Sequence, residues 1–277
     1  MSNLTSGVVS IDNGGHSTIL VNRQCEEKYL SVKGLYNNGN LTTINGKYDF
    51  IVEYKNSVYV MSDLAKYDCE MPLQMFTKTK QNLFYDLSVL VGLHQFSFLS
   101  NYIVISVPIE QHTATEKEGL VRRLKGTHTL TVNGVTKTFV IADVKVAPEG
   151  ASAFFINQPV GKSKYLDIGS RTVNAASCVN IDDTIRFIDS ESLTLYKGIE
   201  TFNNGFSPKG LADYICGKLL SIWDTSDIVY IHGGGALNKD LCEGIKEYFP
   251  RSEVMESPQY ANARGMYLLG KTAYGMN

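Results

Sequence analysis

Two stretches of the chain place an aspartate, glycine and small hydroxyl residues in a bend between apolar runs. In Ser10-Ile11-Asp12-Asn13-Gly14-Gly15-His16-Ser17-Thr18 the acid precedes two glycines, and in Tyr165-Leu166-Asp167-Ile168-Gly169-Ser170-Arg171-Thr172 it precedes one. The two aspartates stand 155 residues apart. Glycine reaches positive φ without steric cost, so the plainest reading of each stretch is a β-hairpin whose aspartate caps the turn. The same residue types also do chemistry. Bare backbone N–H groups and short hydroxyls hold phosphate oxygens, and a neighbouring carboxylate places the water shell of Mg²⁺, a cation that dehydrates reluctantly. A third glycine-rich turn, Gly233-Gly234-Gly235-Ala236, follows an apolar strand and opens a helix. The missing Cβ atoms there let a nucleoside or a phosphate approach the helix start closely. A simple strand-to-helix turn is the competing reading.

These residues need a scaffold, and hydrophobic periodicity supplies one. Residues 8–60 read as short strands separated by the turns at 37–40, 44–47 and 54–57. Residues 78–96 read as a helix with Leu83, Leu87, Leu90, Val91 and His94 on one face. A buried strand over 101–109 ends at Pro108, and a hairpin turns at Asn133-Gly134 between alternating Thr and apolar residues. Residues 149–157 read as a short helix. After Lys162 the opening theme restarts with the second Asp–x–Gly bend, followed by a strand-rich patch over 181–199. Ser207 and Pro208 stand at the N-cap and first position of a helix with Leu211, Ile215, Leu219 and Ile222 on one stripe. Ser257 and Pro258 predict the same start for the last helix.

Composition narrows the class. The 277 residues are 43% hydrophobic and 19% charged, an ordinary globular balance with room for two domains. A net charge of −2 gives no global field toward nucleic acid or anionic membrane. The five cysteines form no CxxC pair, and the first residues lack the basic and apolar regions of a secretion signal. Reduced thiols and a cytoplasmic setting are therefore expected. The longest apolar run, around Tyr102–Ile109, is far short of a membrane span.

In order, spacing and predicted local structure, the three glycine-bearing motifs resemble those of the ATPase superfamily that includes actin, the heat-shock chaperone ATPases and the sugar kinases. Ser10–Thr18 resembles its first phosphate motif, Tyr165–Asn174 its second, and Val229–Asn238 its adenosine motif. The stretches at 148–154 and 257–270 resemble the plasmid-segregating bacterial actins of the ParM type, and the short length points to the AlfA-like group. The resemblance implies an α/β actin-like fold of two related ribonuclease-H-like halves around a nucleotide cleft. Residues 1–160 would form the first half, with a small strand-rich insertion around 32–70, and residues 161–277 the second. Only 66 positions separate Asp167 from Gly233, so a small subdomain of the second half is expected to be missing or much reduced.

The same resemblance assigns roles. Asp12 and Asp167 would face the β- and γ-phosphates and hold Mg²⁺ through water. Asn13, Gly14, Gly15, His16 and Ser17 would donate to phosphate oxygens from one side, and Gly169, Ser170 and Arg171 from the other. Arg171 replaces the small residue usual in the family, and both a phosphate contact and a solvent-facing side chain fit its type. Glu149 matches the acid associated with positioning the attacking water, against the alternative of a surface turn after Pro148. Gly233, Gly234, Gly235, Ala236 and Asn238 would approach the adenosine and α-phosphate, and Lys209 the ribose. The implied activity is polymerisation-linked hydrolysis of ATP, with GTP as a possible substitute. The implied partners are further copies of the chain in a head-to-tail cytoskeletal filament and a DNA-binding adaptor on a plasmid; neither direct nucleic-acid binding nor a membrane is expected. A small-molecule kinase of the same fold and a non-hydrolysing nucleotide-binding scaffold are the alternatives.

Overall fold

The computed structural model describes residues 5–36, 46–69, 79–182, 184–202 and 207–276. The turn expected at 37–40, and parts of the expected insertion and of the turn at 44–47, lie outside them. The chain forms two compact units. The first takes Met1–Ile105, Ala114–Val146 and Gly270–Asn277, and the second Ser106–Thr113 and Ala147–Leu269. The units are thus interleaved along the chain, and the sequence division at 160/161 falls inside the second.

The first unit is built on a nine-stranded sheet. Its strands are β1 (Ser6–Asn13), β2 (Ser17–Asn22), β3 (Glu26–Leu30), β4 (Lys33–Leu35), β5 (Asp49–Tyr54), β6 (Ser57–Ser62), β7 (Ser100–Val107), β8 (Gly126–Val132) and β9 (Val135–Pro148), in spatial order 3-2-1-7-9-8-5-6-4. β1 runs antiparallel to β2 and parallel to β7. The β5–β6 and β8–β9 hairpins turn at Lys55-Asn56 and Asn133-Gly134, all four residues at positive φ, the geometry whose twist suits a two-residue hairpin. The alternating threonines pair across β8 and β9, Thr129 with Thr138 at 2.7 Å and Thr131 with Thr136 at 2.8 Å. Helix α1 (Asp63–Asp68) covers β4–β6 around Val32, Val60, Leu64 and Ala65.

Helix α2 (Leu83–Phe96) starts at an Asn82 cap that accepts from the Tyr85 amide. Instead of the expected single stripe, every residue from Tyr85 to His94 is buried. Gly92 permits this, because a Cβ there would stand 2.6 Å from the Tyr29 hydroxyl. Helix α3 (Ala114–Leu124), not anticipated from the pattern, buries Glu116, Leu120 and Leu124.

The second unit repeats the opening theme. β10 (Gly161–Ile168) pairs antiparallel with β11 (Val173–Ile181) and parallel with β14 (Val229–His232). β12 (Thr184–Phe187) extends the sheet beyond β11, β15 (Ser252–Val254) extends it beyond β14, and β13 (Leu193–Leu195) adds to β11. After Pro148 comes a single 3₁₀ turn, Ala151–Ala153, and α4 (Phe154–Asn157). Helix α5 (Pro208–Leu219) begins where its Ser-Pro signal predicts, with the Ser207 hydroxyl accepting from the Gly210 amide. α6 (Lys239–Tyr248) packs on it, and Leu211, Ile215, Leu219, Trp223, Ile231, Ile245 and Phe249 fill the core. The buried Lys164 ammonium bonds Glu191 and the Ser177 hydroxyl and lies over the Trp223 ring. The last helix, α7, spans Ala261–Tyr274. Ser257-Pro258 does not cap it. Ser257 sits at φ 47 and its carbonyl accepts from Tyr260, so the pair makes a turn and the helix starts three residues later than the signal suggests.

Candidate functional site

The two Asp–x–Gly bends have the same construction. In the first, Asn13 faces Thr18 across β1 and β2, and the Gly14 amide donates to the Ser17 carbonyl at 3.0 Å. In the second, Ile168 faces Val173, and the Gly169 amide donates to the Thr172 carbonyl at 2.9 Å. Each closing bond leaves two residues at the tip: Gly15 and His16 in one bend, Ser170 and Arg171 in the other. Asp12 and Asp167 take the same place in their strands and are both half-buried. The bland hairpin reading thus holds for the local fold of both bends.

Within the first unit the Asn13 side chain is drawn inward. Its Oδ1 accepts from the hydroxyls of Thr18 at 2.9 Å and Ser31 at 3.2 Å. Its Nδ2 is buried without a hydrogen-bond partner among the described residues. A buried amide donor left unpaired costs on the order of 1–3 kcal/mol, which an acceptor arriving at the bend would return. Asn13 therefore fits an anionic ligand. The Nζ of Lys80, a residue that no sequence motif marks, donates to the Asn13 carbonyl at 3.0 Å. His16 is exposed, and Gly15 and Ser17 are half-buried.

In the second unit one cluster gathers Glu149, Asp167 and the glycine turn. Glu149 is buried, not on a surface turn. Its amide donates to Val107 at 2.7 Å, and Oε2 accepts from Asn174 Nδ2 at 2.9 Å. Asn174 stands opposite Asp167 in the β10–β11 ladder. Its Oδ1 accepts from Thr194 Oγ1 at 2.8 Å and from the Ile109 amide at 3.3 Å, so its amide nitrogen must point at Glu149. Gly150, at φ 82, donates to Asn262 Oδ1 at 3.2 Å and accepts from His232 Nε2 at 3.2 Å. His232 faces Asp167 across β10 and β14, with Nδ1 3.7 Å from Asp167 Oδ1. A carboxylate held on one edge by Asn174 has the attributes of a water-orienting base.

The glycines of the third turn do different things. A Cβ on Gly233, whose φ is 83, would stand 2.3 Å from Asp167 Oδ1 and 2.7 Å from the Ile168 carbonyl oxygen. One on Gly235 would meet the Ile168 side chain at 2.3 Å. Both are glycine because the turn presses on the second bend. Gly234 is exposed, with nothing nearer to its Cβ position than Gln259 Nε2 at 4.0 Å. It is the glycine whose bareness protein packing does not explain. The Gly233 amide is fixed by the Pro258 carbonyl at 2.9 Å. Residues 234–237 form a 3₁₀ turn before α6, and Asn238 caps that helix through its Oδ1 to the Leu241 amide at 2.9 Å. Ala236 is buried.

Around the second bend, the Ile199 and Glu200 amides donate to the carbonyls of Gly169 and Ser170 at 3.2 and 2.7 Å. Gly198 makes this approach possible, since its Cβ would meet the Arg171 amide at 2.6 Å. Arg171 is half-buried, with its Nη1 inside the protein. Burial lowers its pKa from the ordinary value, and the charge of Glu200 opposes that shift. Lys209 is exposed on the first turn of α5, and its ribose role rests on the resemblance alone. No group of three or more His, Cys, Asp or Glu among the described residues could hold a metal ion. Mg²⁺ bound by one or two carboxylates together with ligand phosphates needs no such group.

Asn174 and His232 lie within the second phosphate motif and the adenosine motif, and Pro258 and Asn262 within the 257–270 stretch, but none of them is assigned a role from the sequence, and Lys80 lies in no motif. For Asn174 and His232 a signal existed, because strand pairing puts both beside Asp167.

Residues 10–151 match the family model described as the actin-like proteins N-terminal domain. No curated protein matches the chain in sequence. Among solved structures, an AlfA filament bound to AMPPNP is 19% identical, with a TM-score of 0.75 over 97% of this chain and 98% of that one. A non-polymerisable quadruple mutant of pCBH ParM is 17% identical, with a TM-score of 0.75 over 96% and 99%. Ta0583, an archaeal actin homolog in complex with ADP, is 14% identical, with a TM-score of 0.74 over 96% and 99%.

Proposed function

The chain belongs to the actin-like proteins, and from that premise we propose that it binds and hydrolyses ATP with Mg²⁺ and polymerises into filaments that segregate plasmid DNA through an adaptor. The observation that carries this reading is the duplicated Asp–x–Gly bend, closed by the same glycine hydrogen bond in both units. Duplication of a plain turn needs no acid in both copies; duplication of a phosphate-binding turn does. Neighbouring folds include an AlfA filament with AMPPNP and an archaeal actin homolog with ADP, which supports both the nucleotide and the polymer.

Each residue then has a defined task. The tip amides of the two bends, with Ser17 and Ser170, donate to phosphate oxygens. Asp12 and Asp167 order the waters around Mg²⁺, whose charge offsets that of the phosphates. Glu149 accepts a proton or a hydrogen bond from the attacking water, and Asn174 holds its carboxylate in one orientation. Phosphoryl transfer asks little covalent chemistry of the protein, so orientation and charge are the whole of the task. Gly234 offers an unobstructed backbone to the nucleoside. A filament follows from a heterologous, non-closing contact between copies, and nucleotide state would shift the population of filament-competent chains.

Binding of a fluorescent ATP analogue tests the nucleotide part. The wild-type chain should bind it in Mg²⁺, with affinity falling in EDTA and in Asp12→Ala and Asp167→Ala. Equal binding by all of these would remove the two acids from the site.

A further inference from the structure

Four residues stand in one row across neighbouring strands of the second sheet. His232 on β14 is opposite Asp167 on β10, Asp167 is opposite Asn174 on β11, and Asn174 is opposite Thr194 on β13. Directly opposed residues share a face of the sheet. One step along that face, Tyr165 and Ala176 are apolar and pack with Ile109, Ala153 and Phe154. The row breaks this pattern, because His232, Asn174 and Thr194 are polar and at most 4% exposed. Buried polar groups are costly unless they are hydrogen-bonded, and from Thr194 inward the bonds run in one sense. The Glu110 amide donates to Thr194 Oγ1 at 3.3 Å, the hydroxyl donates its single proton to Asn174 Oδ1 at 2.8 Å, and Asn174 Nδ2 donates to Glu149 Oε2 at 2.9 Å. The Ile109 amide is a second donor to Asn174 Oδ1, but at 3.3 Å it is the longer of the two. Thr194 thus makes the shorter bond to the oxygen edge of the amide whose nitrogen edge holds Glu149. A flipped amide would give up that bond and set its own oxygen against the carboxylate, acceptor against acceptor.

We propose that Thr194 is a positioning residue for the hydrolytic step, whose hydroxyl locks the Asn174 amide in the orientation that aims the Glu149 carboxylate at the attacking water. The proposal rests on the reading of Glu149 and ATP hydrolysis above. A threonine that only fills its place in β13 would affect stability, and its effect on phosphate release would not depend on Glu149.

The test is single-turnover phosphate release from bound ATP, with equilibrium binding of a fluorescent ATP analogue and thermal melts. The proteins are the wild type, Thr194→Val, Thr194→Ser, Glu149→Ala and the Thr194→Val/Glu149→Ala double variant. Thr194→Val keeps the shape and deletes the hydroxyl, so release should slow about 3- to 10-fold, as loss of one hydrogen bond predicts, while affinity stays within about 2-fold. Thr194→Ser keeps the donor and should restore most of the rate. In the Glu149→Ala background, Thr194→Val should slow the residual release no further, because no carboxylate is left to aim. Thr194→Ala takes the place of Thr194→Val if the valine variant does not fold. An unchanged rate in Thr194→Val, an equal slowing with and without Glu149, or a loss of affinity as large as the loss of rate would overturn the proposal and leave the hydrolytic reading standing. A wild type that binds ATP and releases no phosphate overturns both.

Discussion

Alanine at Gly233 and at Gly234 should differ in its effect on stability, although the two are adjacent and identical in type. Gly233 has φ 83 and ψ −178, a region that only glycine occupies comfortably. Forcing an L-residue there costs about 1–3 kcal/mol. The new Cβ would also stand 2.3 Å from Asp167 Oδ1, 2.7 Å from the Ile168 carbonyl oxygen and 2.8 Å from the Ile168 amide nitrogen. The Ile168 backbone belongs to β10 and cannot yield cheaply, and overpacking of this kind costs a further 1–3 kcal/mol, roughly. The Asp167 carboxylate can swing aside, but only by leaving the position in which it would order the metal's waters. Gly233→Ala should therefore lower the unfolding midpoint by about 10 °C, from about 3–4 kcal/mol of destabilisation, and depress Mg²⁺-dependent nucleotide binding. Gly234→Ala meets only Gln259 Nε2 at 4.0 Å, so it should melt with the wild type and weaken nucleotide binding alone. Thermal melts and fluorescent-nucleotide titrations of the pair suffice. A Gly233→Ala protein as stable and as competent as the wild type would refute the close-approach argument, and unchanged binding in Gly234→Ala would take the nucleoside away from that glycine.

Three further outcomes are expected. Asn174→Ala removes the amide that holds one edge of the Glu149 carboxylate, so phosphate release should fall about 10- to 100-fold while nucleotide affinity stays within a few-fold; equal losses in both would mean a purely structural role. Burial alone would push the Glu191 carboxyl up, but hydrogen bonds from Lys162, Lys164 and Ser177 outweigh it and hold the pKa at about 2 against an ordinary 4.5. That stabilisation is complete above pH 4.5 and is lost as pH falls toward about 2, so melts across this range should show an acid limb on the order of 2 kcal/mol that Glu191→Gln flattens. At neutral pH the same variant leaves the buried Lys164 charge only the longer ion pair with Asp227 at 3.5 Å, and a Lys164→Met/Glu191→Gln double variant should recover part of the loss. Asn238→Ala should cost about 1 kcal/mol through the lost α6 cap, whereas Asn238→Ser keeps the cap and so isolates any contact with nucleotide.

The parts of the site visible in the sequence are those written in backbone chemistry. Asp12 and Asp167 stand out because glycine and small residues follow each within the span of one turn, and the structure gives both bends the same closure. The Ser207-Pro208 start is legible for the same local reason. Ser257-Pro258 is not, because the Pro258 carbonyl is committed to the Gly233 amide and the chain turns once more before α7 begins. What holds Glu149 lies beyond local pattern. Asn174 is distant in sequence and reaches the acid only through the register of β10 and β11. Burial of α2 on all sides, where a stripe is expected, depends on the aromatic and apolar neighbours that close around Gly92. Lys80 looks like one cation in a basic, polar stretch, and nothing local marks it as buried.

The most direct test of the central claim is sedimentation of the pure protein in Mg-ATP, in Mg-ADP and without nucleotide, with phosphate release followed in the same samples. The account predicts a pellet that forms with Mg-ATP, is diminished with Mg-ADP and absent without nucleotide, accompanied by phosphate release that Glu149→Ala suppresses. A chain that neither pellets nor releases phosphate in any of these conditions would contradict it.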